Sequence, residues 1–228
     1  MNKQIIKDLI GNKNEIVLFE LGAADGTDTL EFVNIFNDRN FKYYAFEPDI
    51  RNIQSFREKI KDERVNLLEY AVGNENGIKK FYASTKSKQG DELIYSSSLR
   101  EPGKKLFEIW KQFEDGFEKQ FIYTVSLDDF VENYGIKYID FLFMDVQGCE
   151  DLVIEGGRNT FKDKIHFLYT EYSNNEIYVG EKNLTYILSM LPGYSVIQVY
   201  PNVNGDLEGG DILLVNTLFE ENQKIVSL

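Results

Sequence analysis

The sequence predicts an α/β fold in which a mostly parallel sheet is covered on both faces by helices. Short apolar or β-branched runs alternate with longer amphipathic stretches, the pattern of strands joined by crossover helices. The first run leads into Gly22-Ala23-Ala24-Asp25-Gly26, a strand-to-helix turn of the kind that opens onto a ligand crevice. At 228 residues, with no abrupt change of composition, the chain fits one domain, residues 1–228. Its 43% hydrophobic and 14% aromatic content can build the core that offsets the entropy of ordering it.

Residues 16–20 read as the first strand and 27–39 as the helix after it, with Leu30, Val33, Ile35 and Phe36 apolar. The second strand is 43–46. Asp49 can cap a helix to about residue 61, because its carboxylate accepts free N–H groups of the first turn. A third strand at 65–70 is followed by the turn-rich Gly73-Asn74-Glu75-Asn76-Gly77 and a short strand at 78–83. Residues 84–120 form a polar, irregular insertion with a helical stretch near 106–113; its length marks a lid or substrate-recognition element. Order returns at 121–125, and Ser126-Leu127-Asp128-Asp129-Phe130 is the capped start of a helix. Strand four is 138–144, ending at Asp145. A helix from Glu150, strand five at 166–171, a helix at 184–191 and strands at 195–200 and 212–215 complete the order. The last two pair as a hairpin across 201–210, giving seven strands with an antiparallel edge.

Charge and cysteine content narrow the function classes. Against 25 basic residues stand 38 acidic ones, and a net charge of −13 repels phosphate backbones, so duplex nucleic acid is not the expected partner. Lys79, Lys80, Lys86, Lys88, Arg100, Lys104 and Lys105 fall in one part of the chain and read as a solvated surface. Cys149 is the sole cysteine, which excludes an intrachain disulfide and fits a reducing cytoplasm. No apolar segment approaches a signal peptide or the ~20 residues that span a bilayer, so no membrane insertion is expected.

The chemistry should gather at the carboxyl ends of the strands. Gly22 and Gly26 let the backbone turn sharply and approach a ligand, and Glu20, Ala23 and Asp25 belong to the same loop. A dinucleotide fingerprint would need a glycine at Ala24, and Asp25 puts negative charge where a pyrophosphate would lie. A cationic ligand without phosphate fits better, and S-adenosylmethionine carries a sulfonium and an ammonium group. Glu47, beside Pro48 at the end of the second strand, can accept hydrogen bonds from ribose hydroxyls.

With those residues in place, the chain resembles the FkbM family of methyltransferases. The likeness runs from Phe19-Glu20-Leu21-Gly22-Ala23 to Asp211-Ile212-Leu213-Leu214-Val215. It includes Ala45-Phe46-Glu47-Pro48, Ala71-Val72-Gly73, Ser97-Ser98-Leu99, Val125-Ser126-Leu127-Asp128-Asp129, Phe143-Met144-Asp145-Val146-Gln147-Gly148-Cys149-Glu150 and Tyr169-Thr170-Glu171. Gln147 stands where the family pattern often has Glu. The resemblance implies a class I methyltransferase, Rossmann-like fold, with S-adenosylmethionine held by Gly22, Glu47 and Ala71-Val72, the last flanking adenine, and with Ser97 or Ser98 closing over it. Composition alone reads Ser96-Ser97-Ser98 as a flexible turn.

Asp145 and Glu171 end adjacent strands and are the expected catalytic pair. Two hard oxygen ligands could bind Mg²⁺ and lower the pKa of a substrate hydroxyl, as the likeness to catechol-type and some sugar O-methyltransferases suggests. The alternative is metal-free, with Asp145 contacting substrate or cofactor or acting as general base. His166, the sole histidine, starts strand five at the opposite end and reads as structural, as does Cys149. Trp110, Phe107 and Phe113 read either as packing for the insertion or as an aromatic wall for a sugar face. The expected reaction is O-methylation of a sugar, glycoconjugate or secondary metabolite, with the insertion and the 172–181 loop, including Tyr178, recognising the acceptor. A homodimer is a candidate assembly. The competing readings are methylation of nitrogen or nucleic acid, a non-catalytic nucleoside-binding subunit, and a nicotinamide oxidoreductase.

Overall fold

A computed structural model describes residues 3–85, 95–109, 116–202 and 208–226; Lys86, Lys88, Trp110 and Phe113 lie outside them. The chain begins with α1 (Gln4–Ile10) and β1 (Glu15–Leu21), then α2 (Thr27–Ile35), β2 (Asn40–Phe46), α3 (Ile50–Lys59) and β3 (Val65–Leu68). It continues through β4 (Ala71–Gly73), β5 (Gly77–Ser84), α4 (Lys104–Ile109), β6 (Phe117–Ser126), α5 (Leu127–Asn133) and β7 (Ile139–Met144). After α6 (Glu150–Gly156) and α7 (Arg158–Asp163) come β8 (Ile165–Ser173), α8 (Leu184–Ser189), β9 (Tyr194–Pro201) and β10 (Gly209–Asn216), then a 3-10 turn (Glu220–Asn222) and α9 (Gln223–Val226).

Seven strands form one sheet in the order β3, β2, β1, β7, β8, β10, β9. All neighbours are parallel except at β10, which runs antiparallel to both β8 and β9. The predicted hairpin therefore inserts its second arm into the sheet, and β9 is outermost. The central strands are apolar on both faces because both are covered. In β1, Phe19 and Leu21 join a core with α5, α6, α7 and α8, while Ile16 and Leu18 join another with α1, α2 and α3. The strand order reverses between β1 and β7, and there the carboxyl ends open a crevice.

The structure adds a second, three-stranded sheet that periodicity does not reveal, ordered β4, β6, β5. β5 and β6 are antiparallel arms that pair from Ser84 with Phe117 to Gly77 with Thr124, so the insertion joins two neighbouring strands. α4 occupies part of the helical stretch predicted at 106–113, and Leu106 packs with Ile177 and Tyr178 in a small core of its own. The helix predicted from Glu150 is divided into α6 and α7 at Gly156-Gly157. A Cβ on Gly156 would lie 2.1 Å from the Gly73 carbonyl oxygen, so only glycine lets α6 sit this close to β4. Asp128 of α5 then caps α7, accepting the N–H groups of Asn159 (3.1 Å) and Thr160 (2.8 Å). The predicted caps form as well: Asp49 accepts from Arg51 N at 3.0 Å and Ser126 from Asp129 N at 3.2 Å. Among the described residues, no helix is long and apolar enough to cross a membrane.

Candidate active site

The turn after β1 carries three positive-φ residues, Gly22 (+86°), Ala24 (+46°) and Gly26 (+79°). Gly22 is required twice over, since a Cβ there would also lie 1.9 Å from the carbonyl oxygen of Asp145. The ends of β1 and β7 thus meet backbone to backbone, with Asp145 N donating to Leu21 O at 3.0 Å. Gly22 N and Ala23 N both donate to Phe46 O, at 3.0 and 2.9 Å, tying the turn to β2. The left-handed Ala24 donates its N–H to Glu47 Oε2 at 2.8 Å.

A cavity of about 410 Å³ opens above this junction. Of the residues expected at a cofactor, Gly22, Ala23, Asp25, Glu47, Pro48, Ala71, Val72, Ser97, Ser98 and Asp145 line it. Glu20 and Gly26 are outside its lining. Glu20, 1% exposed, is turned beneath the loop, where its Oε2 accepts from the hydroxyls of Thr29 and Tyr43, and burial pushes its pKa to about 8. Gly26 instead faces α3: a Cβ there would lie 2.8 Å from the Phe56 ring. Both residues shape the loop from behind.

Glu47 is 5% exposed and accepts from Ala24 N and Asp49 N, each at 2.8 Å, and from Asn52 Nδ2 at 3.2 Å. Three of a carboxylate's roughly four acceptor sites are therefore engaged, leaving room for one further donor. Burial raises its pKa to about 7 against those hydrogen bonds. Asp25 is paired with Lys59 and accepts from Thr27 N at 3.1 Å; burial opposes its ionisation, but these partners hold it below the usual carboxylate range.

The serine segment is a wall, with Ser98 bridged to Tyr82 of β5 by backbone hydrogen bonds of 2.8 and 3.1 Å. Ser98 Oγ donates to Gln147 O at 2.7 Å, and Ser97 Oγ accepts from Ser84 N at 3.0 Å. Leu99 and Phe143, from the segments that carry the family resemblance, also line the cavity, as do Asn52, Phe81 and Tyr95, which no sequence motif marks. Asn52 carried a readable signal: it is a polar residue on the buried face of α3, beside Ile53 and Phe56.

Asp145 lines the cavity, whereas Glu171 stands behind it. Burial raises the pKa of both carboxyl groups, and the two lie close enough for the ionisation of one to bear on the other. Burial, then the neighbouring Asp145 charge, drives Glu171 well above its ordinary value, further than burial raises Asp145, so a single proton on the pair sits on Glu171. Gln147 Nε2 donates to Asp145 Oδ1 at 2.7 Å and to Glu171 Oε2 at 3.1 Å. The pair does not fit Mg²⁺: an amide fills the space between them, and no cluster of three or more His, Cys, Asp or Glu side chains among the described residues could hold a metal ion.

His166 is remote from the cavity, stacked on Phe219 at 4.1 Å. Cys149 does line the cavity, but burial pushes its thiol up to about 12, so it is not a nucleophile. Phe107 packs edge-on against Phe117 at 6.2 Å, as part of the insertion's own core.

Residues 20–196 match the model of the methyltransferase FkbM domain. The chain is 34% identical over 219 residues to the 2-O-methyltransferase NoeI of Sinorhizobium fredii, an alignment covering 95% of this chain and 85% of that protein. Among solved structures, methyltransferase FkbM from Methylobacillus flagellatus KT aligns with a TM-score of 0.53 at 16% identity, over 89% of this chain and 44% of that one. The chain thus spans less than half the length of that structure, and at such identity the likeness shows the fold alone.

Proposed function

The chain belongs to the FkbM family of methyltransferases, and from that premise we propose that it methylates a hydroxyl oxygen of a sugar, glycoconjugate or other hydroxylated metabolite. One observation carries the reading. Among the described residues, the cavity lining holds four carboxylates, Asp25, Asp28, Glu47 and Asp145, and no Lys, Arg or His. That field favours a sulfonium and an ammonium group over a pyrophosphate, and an acceptor without phosphate. The relative at 34% identity is a 2-O-methyltransferase by name, which supports oxygen as the acceptor atom.

S-adenosylmethionine, when bound, supplies an electrophilic methyl group on a positively charged sulfur. The Gly22-Ala23-Ala24 turn offers backbone close to that ligand, and the remaining acceptor site of Glu47 suits a ribose hydroxyl. Ala71, Val72 and Phe81 supply an apolar slot of the kind adenine prefers. Asp145, at the crevice end, would take the proton of the acceptor hydroxyl as its oxygen accepts the methyl group that bound S-adenosylmethionine would supply. The products are a methyl ether and S-adenosylhomocysteine. Holding the oxygen against the methyl group supplies the larger share of the acceleration, on the order of 7–11 kcal/mol. The insertion, anchored through Leu106 to Ile177 and Tyr178, forms the acceptor side of this site together with the 172–181 loop.

Isothermal titration with S-adenosylmethionine, S-adenosylhomocysteine and NAD tests the cofactor, and a methyl-transfer screen over uncharged glycans and hydroxylated metabolites tests the acceptor. Micromolar binding of the two sulfur nucleosides without NAD binding is expected. Folded protein that binds neither overturns the reading.

A further inference from the structure

Gln147 has no part in the reaction above, yet every polar atom of its side chain is engaged. Its NH₂ group donates to Asp145 Oδ1 and Glu171 Oε2, while its Oε1 lies 3.0 Å from the Tyr178 hydroxyl, which shares its one proton between this oxygen and Ser96 O at 2.9 Å. Its backbone is left-handed, φ +52°, followed by Gly148 at +80°. Residues other than glycine rarely adopt that conformation, and here it aims the side chain between the two carboxyl groups. The amide has one sensible orientation: turned over, it would set Oε1 against two carboxyl oxygens.

The surroundings oppose an anion at Asp145. Asp28 of α2, Glu150 of α6 and Asp211 of β10 bear on the Asp145–Glu171 pair, Tyr169 of β8 faces Asp145, and Tyr178 and Glu181 approach from the loop after β8. Arg100, a cation on this side, is committed to Asp151 through contacts of 2.9 and 2.7 Å. Among the described residues, an ionised Asp145 is thus stabilised by the Glu171 carboxyl group and by the side-chain amide and backbone N–H of Gln147.

We propose that Gln147 is a positioning residue whose amide stands where a cation would between Asp145 and Glu171, selecting Asp145 as the anion and Glu171 as the proton carrier. Tyr178 holds the amide in register from the other side. This inference rests on the general-base reading of Asp145. It assigns Gln147 the lower pH limit of methyl transfer, because an N–H donor stabilises a carboxylate and its loss favours the protonated form.

The test is a carboxyl-carbon NMR titration of the full-length protein, wild type against Gln147→Leu, Gln147→Glu and Tyr178→Phe, with methylation pH profiles measured in parallel. The lower of the two carboxyl titrations should rise by about one pH unit, a tenfold change in the proton equilibrium, in Gln147→Leu. It should rise further in Gln147→Glu, and less in Tyr178→Phe. The acid limb of kcat should move with it, while KM for S-adenosylmethionine changes far less. Unmoved titrations in all three variants overturn the role of Gln147. A titration that moves while the acid limb stays fixed leaves Gln147 setting the ionisation and removes Asp145 as the base, so the two ideas fail separately. Tyr178→Phe, which deletes one hydroxyl, keeps the test open should either Gln147 variant fold poorly.

Discussion

At the residue scale, the site depends on a few positions where one atom decides. A methyl group at Gly22 would collide with the Asp145 carbonyl oxygen at 1.9 Å and meet a positive φ as well. Gly22→Ala should therefore separate the ends of β1 and β7 and abolish S-adenosylhomocysteine binding, which titration calorimetry reads directly. Glu47→Ala removes a carboxylate that ties Ala24, Asp49 and Asn52 together. Cofactor affinity should fall at least tenfold, and near-normal affinity would remove the ribose assignment. Because burial raises Glu47 to about 7, binding to the wild-type protein should weaken as pH falls through that value. Asp145→Asn keeps the shape but cannot take a proton: kcat should drop by about 10²–10⁴ with cofactor affinity largely kept.

At the element scale, the cofactor turn is held by contacts from β2, β7 and α3, and the insertion is held separately. Its descending segment runs beside the 176–179 loop, with Gly103 N donating to Ile177 O and Val179 N to Glu101 O, each at 2.8 Å. The Arg100–Asp151 pair pins the same segment to α6, with side chains only 11% and 9% exposed. Arg100→Leu leaves a buried, unpaired carboxylate, a loss on the order of 3–5 kcal/mol. Limited proteolysis should then cut the insertion well before the core strands; equal cutting in mutant and wild type would show that the anchor lies elsewhere. The Ser126 cap is a milder case, and Ser126→Ala should cost about 1 kcal/mol in chemical denaturation.

At the scale of the whole molecule, burial of carboxyl groups sets a pH trend. Glu20, Glu47 and Glu150 are raised to about 8, 7 and 8, chiefly by burial. Their folded values lie above the ordinary 4.5, so the folded protein holds more protons than the unfolded chain between about pH 4.5 and 8. The stability this confers is complete below pH 4.5 and is lost as pH rises through 8. Melting of the ligand-free protein should fall across that window, and a rising melting temperature would contradict the burial of these groups. The net charge of −13 acts in the same direction through self-repulsion.

Much of this was legible in the sequence because the signals are local. A strand buried on both faces reads as an apolar run, as at Ile16 to Phe19; a cap is a polar residue beside a helical pattern, as at Asp49 and Ser126; and a turn that must reverse tightly needs glycine, as at Gly22. Those periodicities determined the seven-stranded sheet and its helices, and the motifs along them pointed to the family, the cofactor loop and Glu47. Only the tertiary structure decided that Glu20 faces the core while Asp25 faces the cavity, that β4, β6 and β5 form a second sheet, and that Gln147 stands between Asp145 and Glu171. Each of these depends on partners far apart in the chain, such as Tyr178 with Ser96 or Arg100 with Asp151. Hydrogen bonds of that kind leave no trace in spacing or period, because they are set by where the packed strands and loops deliver their side chains.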